Sequence, residues 1–528
     1  MDYPYLDTVI YDTFYEMLSD RYLKSGEKTA VKYFEKDEIK SVTYKELIEQ
    51  SARVYGYVER KGFKDCNIAI FSENKYEYIP LYLGLLSGNV VVPFDKEMDE
   101  ETTGKCLVKF DIRAVFYSKR TEEKIKRAAE KIEKAAEAPD IELLCIEECF
   151  PCILNMGYQA ERFFEEIKDT PKDRFSVLAT TSGTSGEMKG VMLSQYNIMT
   201  NIRGTLENNI LRNPTLAFLP MNHTYGFNPC MLATFYNGTT LCLSLEFKNL
   251  VRDIQTFNPS FFGAVPMVIE GIYNNILREA KKQKKDKMLS RMIAVSNFLL
   301  KMKIDVRHIL FKNLICPNLR QIVNGGAPLN SFYVERFAEL GIYVLNGYGL
   351  TECSPTVAVS REGNNVPGSS GTIMKHIEVK TAEDGEILVK GPCVMLGYYK
   401  DEKATREAMT EDGYLKTGDI GYTDGRLIYI TGRKKNLIIL ENGKNVSPEY
   451  LESKLYELPY VKECLVTTKQ LANHTGIICA RIYPEGNYDS IEADLKTIND
   501  GLSSYMRIDD YEIVAQEFEK TSTGKIKR

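Results

Sequence analysis

The sequence has no long hydrophobic run. Its longest apolar stretch, residues 79–94, is broken by Pro80, Gly84, Ser87 and Gly88, which leaves it too short to cross a bilayer. Met1-Asp2-Tyr3-Pro4-Tyr5 has neither the positive start nor the apolar core of a secretory signal, so a cytoplasmic protein without a transmembrane segment is expected. An excess of one charge is missing too: 68 Lys and Arg stand against 73 Asp and Glu, with no basic tail or stripe of the kind that binds nucleic acid, so no nucleic-acid partner is expected. The locally basic residues 281–287 read as a solvated helix end or loop, with a membrane-surface or phosphate-recruiting role as the alternative. Twelve cysteines scattered through the chain fit free thiols in a reducing compartment. Cys145, Cys149 and Cys152 cluster, but no nearby His or further Cys completes a tetrahedral zinc site. No internal repeat or low-complexity tract is present.

What is present is material for a large layered enzyme. At 528 residues the length allows about three to four folding units, and 44% hydrophobic residues supply their cores. Apolar runs such as Asn67–Phe71 and Val90–Phe94 alternate with helical stretches such as residues 76–86, the pattern of parallel α/β layers. Residues 122–138 place Ile125, Ala129, Ile132 and Ala136 at helical spacing among Lys and Glu, as in an amphipathic surface helix. Gln321-Ile322-Val323 reads as a strand, Asn324-Gly325-Gly326-Ala327-Pro328 as a loop, residues 330–340 as a helix stopped by Gly341, and Tyr343-Val344-Leu345 as the next strand. This order puts the loop and the segment from Asn346 to Glu352 at the carboxyl ends of neighbouring strands, where open α/β sheets bind ligands. Asp424-Gly425 and Asn442-Gly443 are two-residue hairpin signals, and Ser447-Pro448 suits the start of a helix at Glu449.

Thr180-Thr181-Ser182-Gly183-Thr184-Ser185-Gly186-Glu187-Met188-Lys189-Gly190 joins an apparent strand (Phe175 to Ala179) to a second apolar segment (Val191-Met192-Leu193), after which Ser194 can cap a helix from Gln195. Glycines let backbone N–H groups approach an anion, hydroxyls add donors, and Lys189 supplies a point charge, so the segment suits a polyphosphate. It is not a Walker loop, because Gly190 rather than Ser or Thr follows Lys189.

Further along stand Asn346-Gly347-Tyr348-Gly349-Leu350-Thr351-Glu352, then Lys416-Thr417-Gly418-Asp419 with Gly432-Arg433-Lys434-Lys435, and finally Lys520-Thr521-Ser522-Thr523-Gly524-Lys525. This ordered set resembles the adenylate-forming superfamily of acyl-CoA synthetases, peptide-synthetase adenylation domains and luciferases, and within it the bacterial long-chain fatty acid–CoA ligases. The resemblance runs from about Val42 to the last residue. It implies an α/β fold: a large N-terminal AMP-binding domain of layered α/β subdomains, residues 1–432, and a small mobile α+β C-terminal lid, residues 433–528.

The resemblance also implies roles. Thr181, Ser182, Gly183, Thr184, Ser185, Gly186 and Lys189 would hold the ATP phosphates, Thr351 would meet the α-phosphate, and Glu352 would help hold Mg²⁺. Tyr348, flanked by Gly347 and Gly349, would be the shelf for adenine, with Asn346 at its amino edge and Gly325, Gly326 and Ala327 on the other side. Asp419 would accept the ribose hydroxyls, Arg433 would donate to ribose and phosphate, Lys435 would be the hinge, and Lys525 would bridge the carboxylate and α-phosphate during adenylation. His223, one of only four histidines, would lie beside the acyl carboxylate and the pantetheine route, and Phe262, Gly263 and Val265 would line the acyl pocket.

The sequence departs from the family pattern at Ser185, where Thr is more usual, and at Met188, where Pro is common. No acidic residue occurs between Leu219 and Leu245 to pair with an ammonium group, which disfavours an amino acid substrate. The implied reaction is ATP-dependent activation of a carboxylic acid, foremost a medium- or long-chain fatty acid, and its transfer to CoA. The alternative acceptor is the phosphopantetheine of a carrier protein acting in trans. A catalytically silent nucleotide-binding relative would not need Lys189, Glu352, Asp419, Arg433 and Lys525 together.

Overall fold

The computed structural model describes residues 5–133, 140–182, 187–440, 444–470, 476–520 and 526–528. Asn67–Phe71, Val90–Phe94, Ile112–Tyr117 and Glu142–Cys145 run parallel in a seven-stranded sheet. All five residues of Asn67–Phe71 are buried, as are those of Val90–Phe94, which is why these strands read as unbroken apolar runs. The helix Tyr78–Leu86 is buried on every side and carries no charged residue, as expected of a helix enclosed between layers. The expected amphipathic helix spans Glu122–Glu133, with Ile125 buried, and Ala136 lies outside the described residues.

A second sheet of thirteen strands turns from parallel to antiparallel pairing at Tyr343–Gly349, and again at its edge pair Thr29–Glu35 and Glu38–Thr43. The first half of Tyr343–Gly349 pairs parallel with Gln321–Asn324, setting Asn346 beside Asn324, while Gly347 and Tyr348 pair antiparallel with Val359 and Ala358. The strand is thus longer than Tyr343-Val344-Leu345. The glycine-rich continuation looks like a loop in sequence, but its new antiparallel neighbour supplies backbone partners that keep it extended. The same happens in the first sheet: Thr180 and Thr181 pair with Gly190 and Lys189, so the strands run Phe175–Ser182 and Met188–Ser194 rather than stopping at Ala179.

After Arg433 the chain leaves the thirteen-stranded sheet. Val461–Gln470, Gly476–Pro484 and Asp510–Ile513 form a small sheet of their own. With the helices Pro448–Leu455 and Ile491–Asp500 it encloses a separate core around Val446, Leu451, Cys464 and Ile478. The molecule is therefore a large α/β body followed by a small α+β one. Ser447 caps Pro448–Leu455 by accepting from the Tyr450 N–H, and Ser194 caps Gln195–Asn208 through a reciprocal bond with Asn197.

The helix Gln195–Asn208 carries a polar stripe into the interior. Asn197 donates to the carbonyls of Pro392 (2.8 Å) and Val394 (3.0 Å), and one turn later Asn201 donates to those of Cys353 (2.8 Å) and Thr356 (2.7 Å). Asn208 continues the face with a bond to Thr372 O. Replacing Asn201 by Leu keeps the volume but orphans these buried carbonyls, each worth about 1–3 kcal/mol. Asn201→Leu is therefore expected to lower stability by about 2–4 kcal/mol in chemical denaturation. A loss no larger than that of Asn313→Leu, at an exposed position, would dismiss the stripe as a structural support.

Candidate active site

A cleft of about 3270 Å³ opens along the carboxyl ends of Phe261–Ala264, Gln321–Asn324 and Tyr343–Gly349 and extends to the small C-terminal body. Ligands settle at such strand ends because the connecting loops there diverge and leave a crevice.

On one wall lies Thr181, and Lys189 stands opposite it in the hairpin. The Lys189 ammonium lies 4.6 Å from the centre of the Tyr398 ring, and the Tyr398 hydroxyl donates to Glu352 Oε1 at 2.9 Å. Tyr398 is brought there because Gly397–Tyr398 pairs with Met192 and Val191 of the hairpin's second strand. Burial, and next the Glu352 carboxylate, hold the Tyr398 phenol well above the usual tyrosine range, so it remains a donor at neutral pH. Thr351 and Glu352 form the short turn Thr351–Cys353 directly after the switching strand, and the Glu352 carbonyl accepts from Met395 N–H at 2.8 Å. Gly183, Thr184, Ser185 and Gly186 lie outside the described residues.

A second cluster forms across two strands. Asp419, in Leu415–Thr423, faces Arg433, the last residue of Leu427–Arg433. Asp419 Oδ2 accepts from the Tyr348 hydroxyl at 2.7 Å, and Oδ1 accepts from Arg433 Nε at 2.7 Å. The Asp419 side chain is only 2% exposed while that of Arg433 is 42% exposed, so an enclosed carboxylate is paired with a cation whose outer side faces solvent. A carboxylate offers about four acceptor sites, so a single such group can serve several donors at once. Burial and the Asp419 charge push the Tyr348 phenol well above its ordinary range.

Behind the Tyr348 ring, Asn324 Nδ2 donates to Asn346 Oδ1 (3.3 Å) and to Ala327 O (3.1 Å), and Asn346 Nδ2 reaches Ser369 O (3.4 Å). Asn324 Oδ1 is buried without a partner among the described residues, an acceptor beside a cleft wall. Gly325 is followed by Gly326 at φ +82°, where a side chain would be strained, and Ala327 completes this wall.

The remaining wall centres on Tyr225, whose hydroxyl donates to Val323 O at 2.8 Å. Its ring fills the space that a side chain at Gly325 would need, where a Cβ would fall 2.6 Å from Tyr225 Cζ; a Cβ on Gly263 would meet Cys230 Sγ at 2.3 Å and Tyr225 Oη at 3.1 Å. His223 precedes the turn Thr224–Phe227 and sits at the cleft with Nε2 3.8 Å from Asp95 Oδ2. Val265 lines the cleft as the residue before the helix Pro266–Lys282. Phe262 does not: it is fully buried on the opposite face of its strand, packed edge-on to Phe218 with ring centres 5.9 Å apart. Alternation along a strand places Phe261 on the cleft side instead.

Where the two bodies join, Lys434 donates to Asp384 Oδ2 (2.6 Å) and Glu386 Oε2 (2.7 Å), while Lys435 next to it is exposed. Lys525 lies outside the described residues. Sequence reading passed over Tyr398, Tyr225, Asn197 and Asn201. The three asparagines of Gln195–Asn208 share a helical face with apolar neighbours, a signal that was readable; the pairing of Tyr398 with a hairpin about 200 residues earlier was not.

The family model for AMP-binding enzymes matches residues 19–399. The long-chain-fatty-acid–CoA ligase FadD15 of Mycobacterium bovis is 33% identical over 316 residues, 55% of this chain and 52% of that protein. The long-chain-fatty-acid–CoA ligase 1 of Homo sapiens is 26% identical over 459 residues, 78% of this chain and 65% of that protein. In its alignment to FadD15, the chain spans about half the relative's length. The o-succinylbenzoate CoA synthetase of Bacillus subtilis, solved with its acyl-adenylate intermediate, superposes with a TM-score of 0.76 at 21% identity over 97% of this chain and 96% of that one. A fatty acyl CoA synthetase of Mycobacterium tuberculosis gives 0.69 at 22% identity over 98% and 96%. These likenesses establish a common fold.

Removing the Tyr348 hydroxyl takes one donor from Asp419 and leaves the ring. Tyr348→Phe should therefore weaken AMP binding about tenfold in isothermal titration, whereas Asp419→Ala, which removes the acceptor of two charge-assisted bonds, should weaken it about a hundredfold or more. Equal, small effects of both would show that this cluster does not hold the nucleotide.

Proposed function

This chain belongs to the family of AMP-binding enzymes, and we propose that it joins a carboxylic acid to a thiol through an acyl adenylate, with a medium- or long-chain fatty acid as the acid and CoA as the thiol. The observation that carries this reading is the convergence on one cleft of the Tyr398–Glu352 pair, with Lys189 against the Tyr398 ring, and the Tyr348–Asp419–Arg433 cluster. The first set offers a cation and a carboxylate for a polyphosphate and its metal. The second offers an aromatic face and a buried acid for a nucleoside. The unpartnered Asn324 Oδ1 beside Asn346 is an acceptor suited to the amino edge of a purine.

Among the described residues no group of three or more His, Cys, Asp or Glu could cage a metal. A single glutamate fits Mg²⁺, which completes its octahedron with phosphate oxygens and water. Glu352 would hold it, and the ion would neutralise phosphate charge. The chain's own residues do the rest. Lys189 meets the phosphates, Thr351 the α-phosphate, and Asp419 with Arg433 fixes the ribose. A carboxylate oxygen of the acid then forms a bond to the α-phosphorus as the bond to the β-phosphate bridging oxygen breaks and pyrophosphate departs. Lys525 supports the negative charge of that step. In the second step the thiolate sulfur bonds to the acyl carbon, the acyl–oxygen bond breaks, and AMP leaves, with His223 beside the route. Two anions must meet in the first step, so positioning and charge neutralisation are the main requirements.

The fatty acid assignment is supported by the names of the curated relatives, by apolar cleft residues including Phe261, Val265 and Met267, and by the lack of an acidic partner for an ammonium group between Leu219 and Leu245. Incubation with ATP, Mg²⁺ and a fatty acid but no CoA is expected to release pyrophosphate and leave acyl-AMP detectable by mass spectrometry. Release of ADP and phosphate would overturn the adenylate route.

We place the division between large domain and lid after Lys434, two residues beyond the 432/433 boundary expected from sequence, because Arg433 and Lys434 are tied to Asp419, Asp384 and Glu386, and we place the hinge at Lys435. Lys525→Ala is then expected to slow adenylation about a hundredfold or more while leaving transfer from supplied acyl-AMP to CoA nearly intact. Lys435→Pro, which restricts φ at the hinge, should do the reverse. Equal loss in both half-reactions for both variants would refute the moving-lid assignment.

A further inference from the structure

The helix Asp286–Lys301 has two apolar faces. Leu289 and Ser296 point inward, where Leu289 packs with Ile276, Phe311 and Leu340. Met288, Val295, Phe298 and Met302 fall on the outward side at helical spacing and are 55%, 55%, 63% and 58% exposed. The apolar surface continues past the helix through Ile304 and Ile309, at 48% and 69%. Of the 26 large apolar side chains exposed among the described residues, nine fall between Met288 and Leu314. Isolated exposed apolar residues need no explanation, but a concentration of this kind does.

The same segment is the most basic of the chain. Residues 281–314 hold ten Lys or Arg against only Asp286 and Asp305, in a protein whose formal net charge is −5. Lys282 pairs with Glu279, and Arg307 with Asp305. The other eight cations have no carboxylate within salt-bridge distance among the described residues, and Lys281, Lys284, Lys285 and Lys287 are all exposed. An outward apolar stripe edged by unneutralised lysines is the composition of a helix that lies in a membrane interface, its apolar side among acyl chains and its lysines against anionic headgroups. No described helix is long and apolar enough to cross a membrane, so the contact is one of surface adsorption.

We propose that residues 281–314 form a docking face for an anionic lipid bilayer. Charge complementarity selects this occupant: a second copy of the chain would bring the same cations against these, and a neutral apolar partner would leave them unpaired. The helix Pro266–Lys282 joins this face to the cleft, since its first turns line the cleft and its last turn opens the basic run. Docking would thus set the cleft beside a lipid surface.

The test needs neither nucleotide nor acid, so it stands apart from the ligase reading. Purified full-length protein is sedimented with vesicles of phosphatidylcholine alone and of phosphatidylcholine mixed with phosphatidylglycerol. Binding to the mixed vesicles, weak binding to the neutral ones, and release at high salt are expected. Each lysine near such a surface is worth about a fivefold change in partitioning, so the triple change Lys284→Glu, Lys285→Glu, Lys287→Glu should lower it about a hundredfold or more. Phe298→Asp should lower it at least about tenfold by removing apolar insertion. Unchanged melting temperature in each variant excludes unfolding as the cause; should either variant melt early, Phe298→Ser and Lys284→Gln give the same readout at lower magnitude. Equal binding to both vesicle types, no binding, or variants that bind like wild type would overturn the proposal. So would dimers, seen by light scattering, that Phe298→Asp dissociates, since the face would then belong to a second copy.

Discussion

Irregular backbone at the centre of a large protein is possible only where its carbonyls and amides find partners, and the helix Gln195–Asn208 supplies them. Asn197 uses its oxygen to close the helix N-terminus and its amide to bind the 392–394 segment. Asn201 bonds to the carbonyls of Cys353 and Thr356, just after Glu352, and Asn228 donates to the intervening Ser354 O at 2.9 Å. Ser354 Oγ then ties this turn to Cys393 O at 2.8 Å. Without these bonds the two segments would bury unsatisfied groups, each costing about 1–3 kcal/mol. With them, Glu352 and Tyr398 project into the cleft from segments that are neither helix nor long strand, yet are held as firmly as either.

The two polar clusters repeat one device. In each, a buried tyrosine hydroxyl donates to a carboxylate on a different element, Tyr398 to Glu352 and Tyr348 to Asp419. Burial raises both phenols, and the carboxylates raise them further. For a group whose folded pKa lies above its unfolded one, the stabilising contribution is intact below the ordinary tyrosine value and is lost as pH rises through the folded one. Both donors therefore persist through neutral and mildly alkaline pH. A cation completes each set: Lys189 over the Tyr398 ring and Arg433 on Asp419.

Much of this architecture was legible in the chain. The caps at Ser194 and Ser447 act as their residue types suggest, and parallel pairing sets Asn324 beside Asn346 as the order of strand, loop, helix and strand implied. The misplacements have physical causes. Phe262 was assigned to the cleft because a four-residue apolar strand gives no parity signal; only the packed sheet decides which of two adjacent phenylalanines faces inward, and a one-residue shift exchanges them. Gly347 and Gly349 looked like loop residues because glycine is ordinarily unfavourable in a strand, yet here a close approach demands it: a Cβ on Gly349 would lie 2.0 Å from Pro355 O. The interior asparagines were passed over because polar residues on a helix are ordinarily read as its solvated side, although the apolar neighbours on the same face marked them as interior.

The junction between the two bodies shows how a fixed site and a movable neighbour can share one strand. Arg433 is bound to Asp419, and Lys434 to Asp384 and Glu386. Glu386 itself is buried and accepts from Gly418 N–H through its other oxygen, so this anchor reaches back to the segment that presents Asp419. Everything up to Lys434 is therefore part of the large sheet's electrostatic framework. Lys435 carries no such tie among the described residues and is exposed. A rotation of the backbone there would carry the following residues with it and leave the Tyr348–Asp419–Arg433 cluster undisturbed. A rotation two residues earlier would pull Arg433 from a buried carboxylate and expose it to the full cost of an unpaired charge. If the C-terminal body moves, the energetics place the pivot after the clamp and not within it.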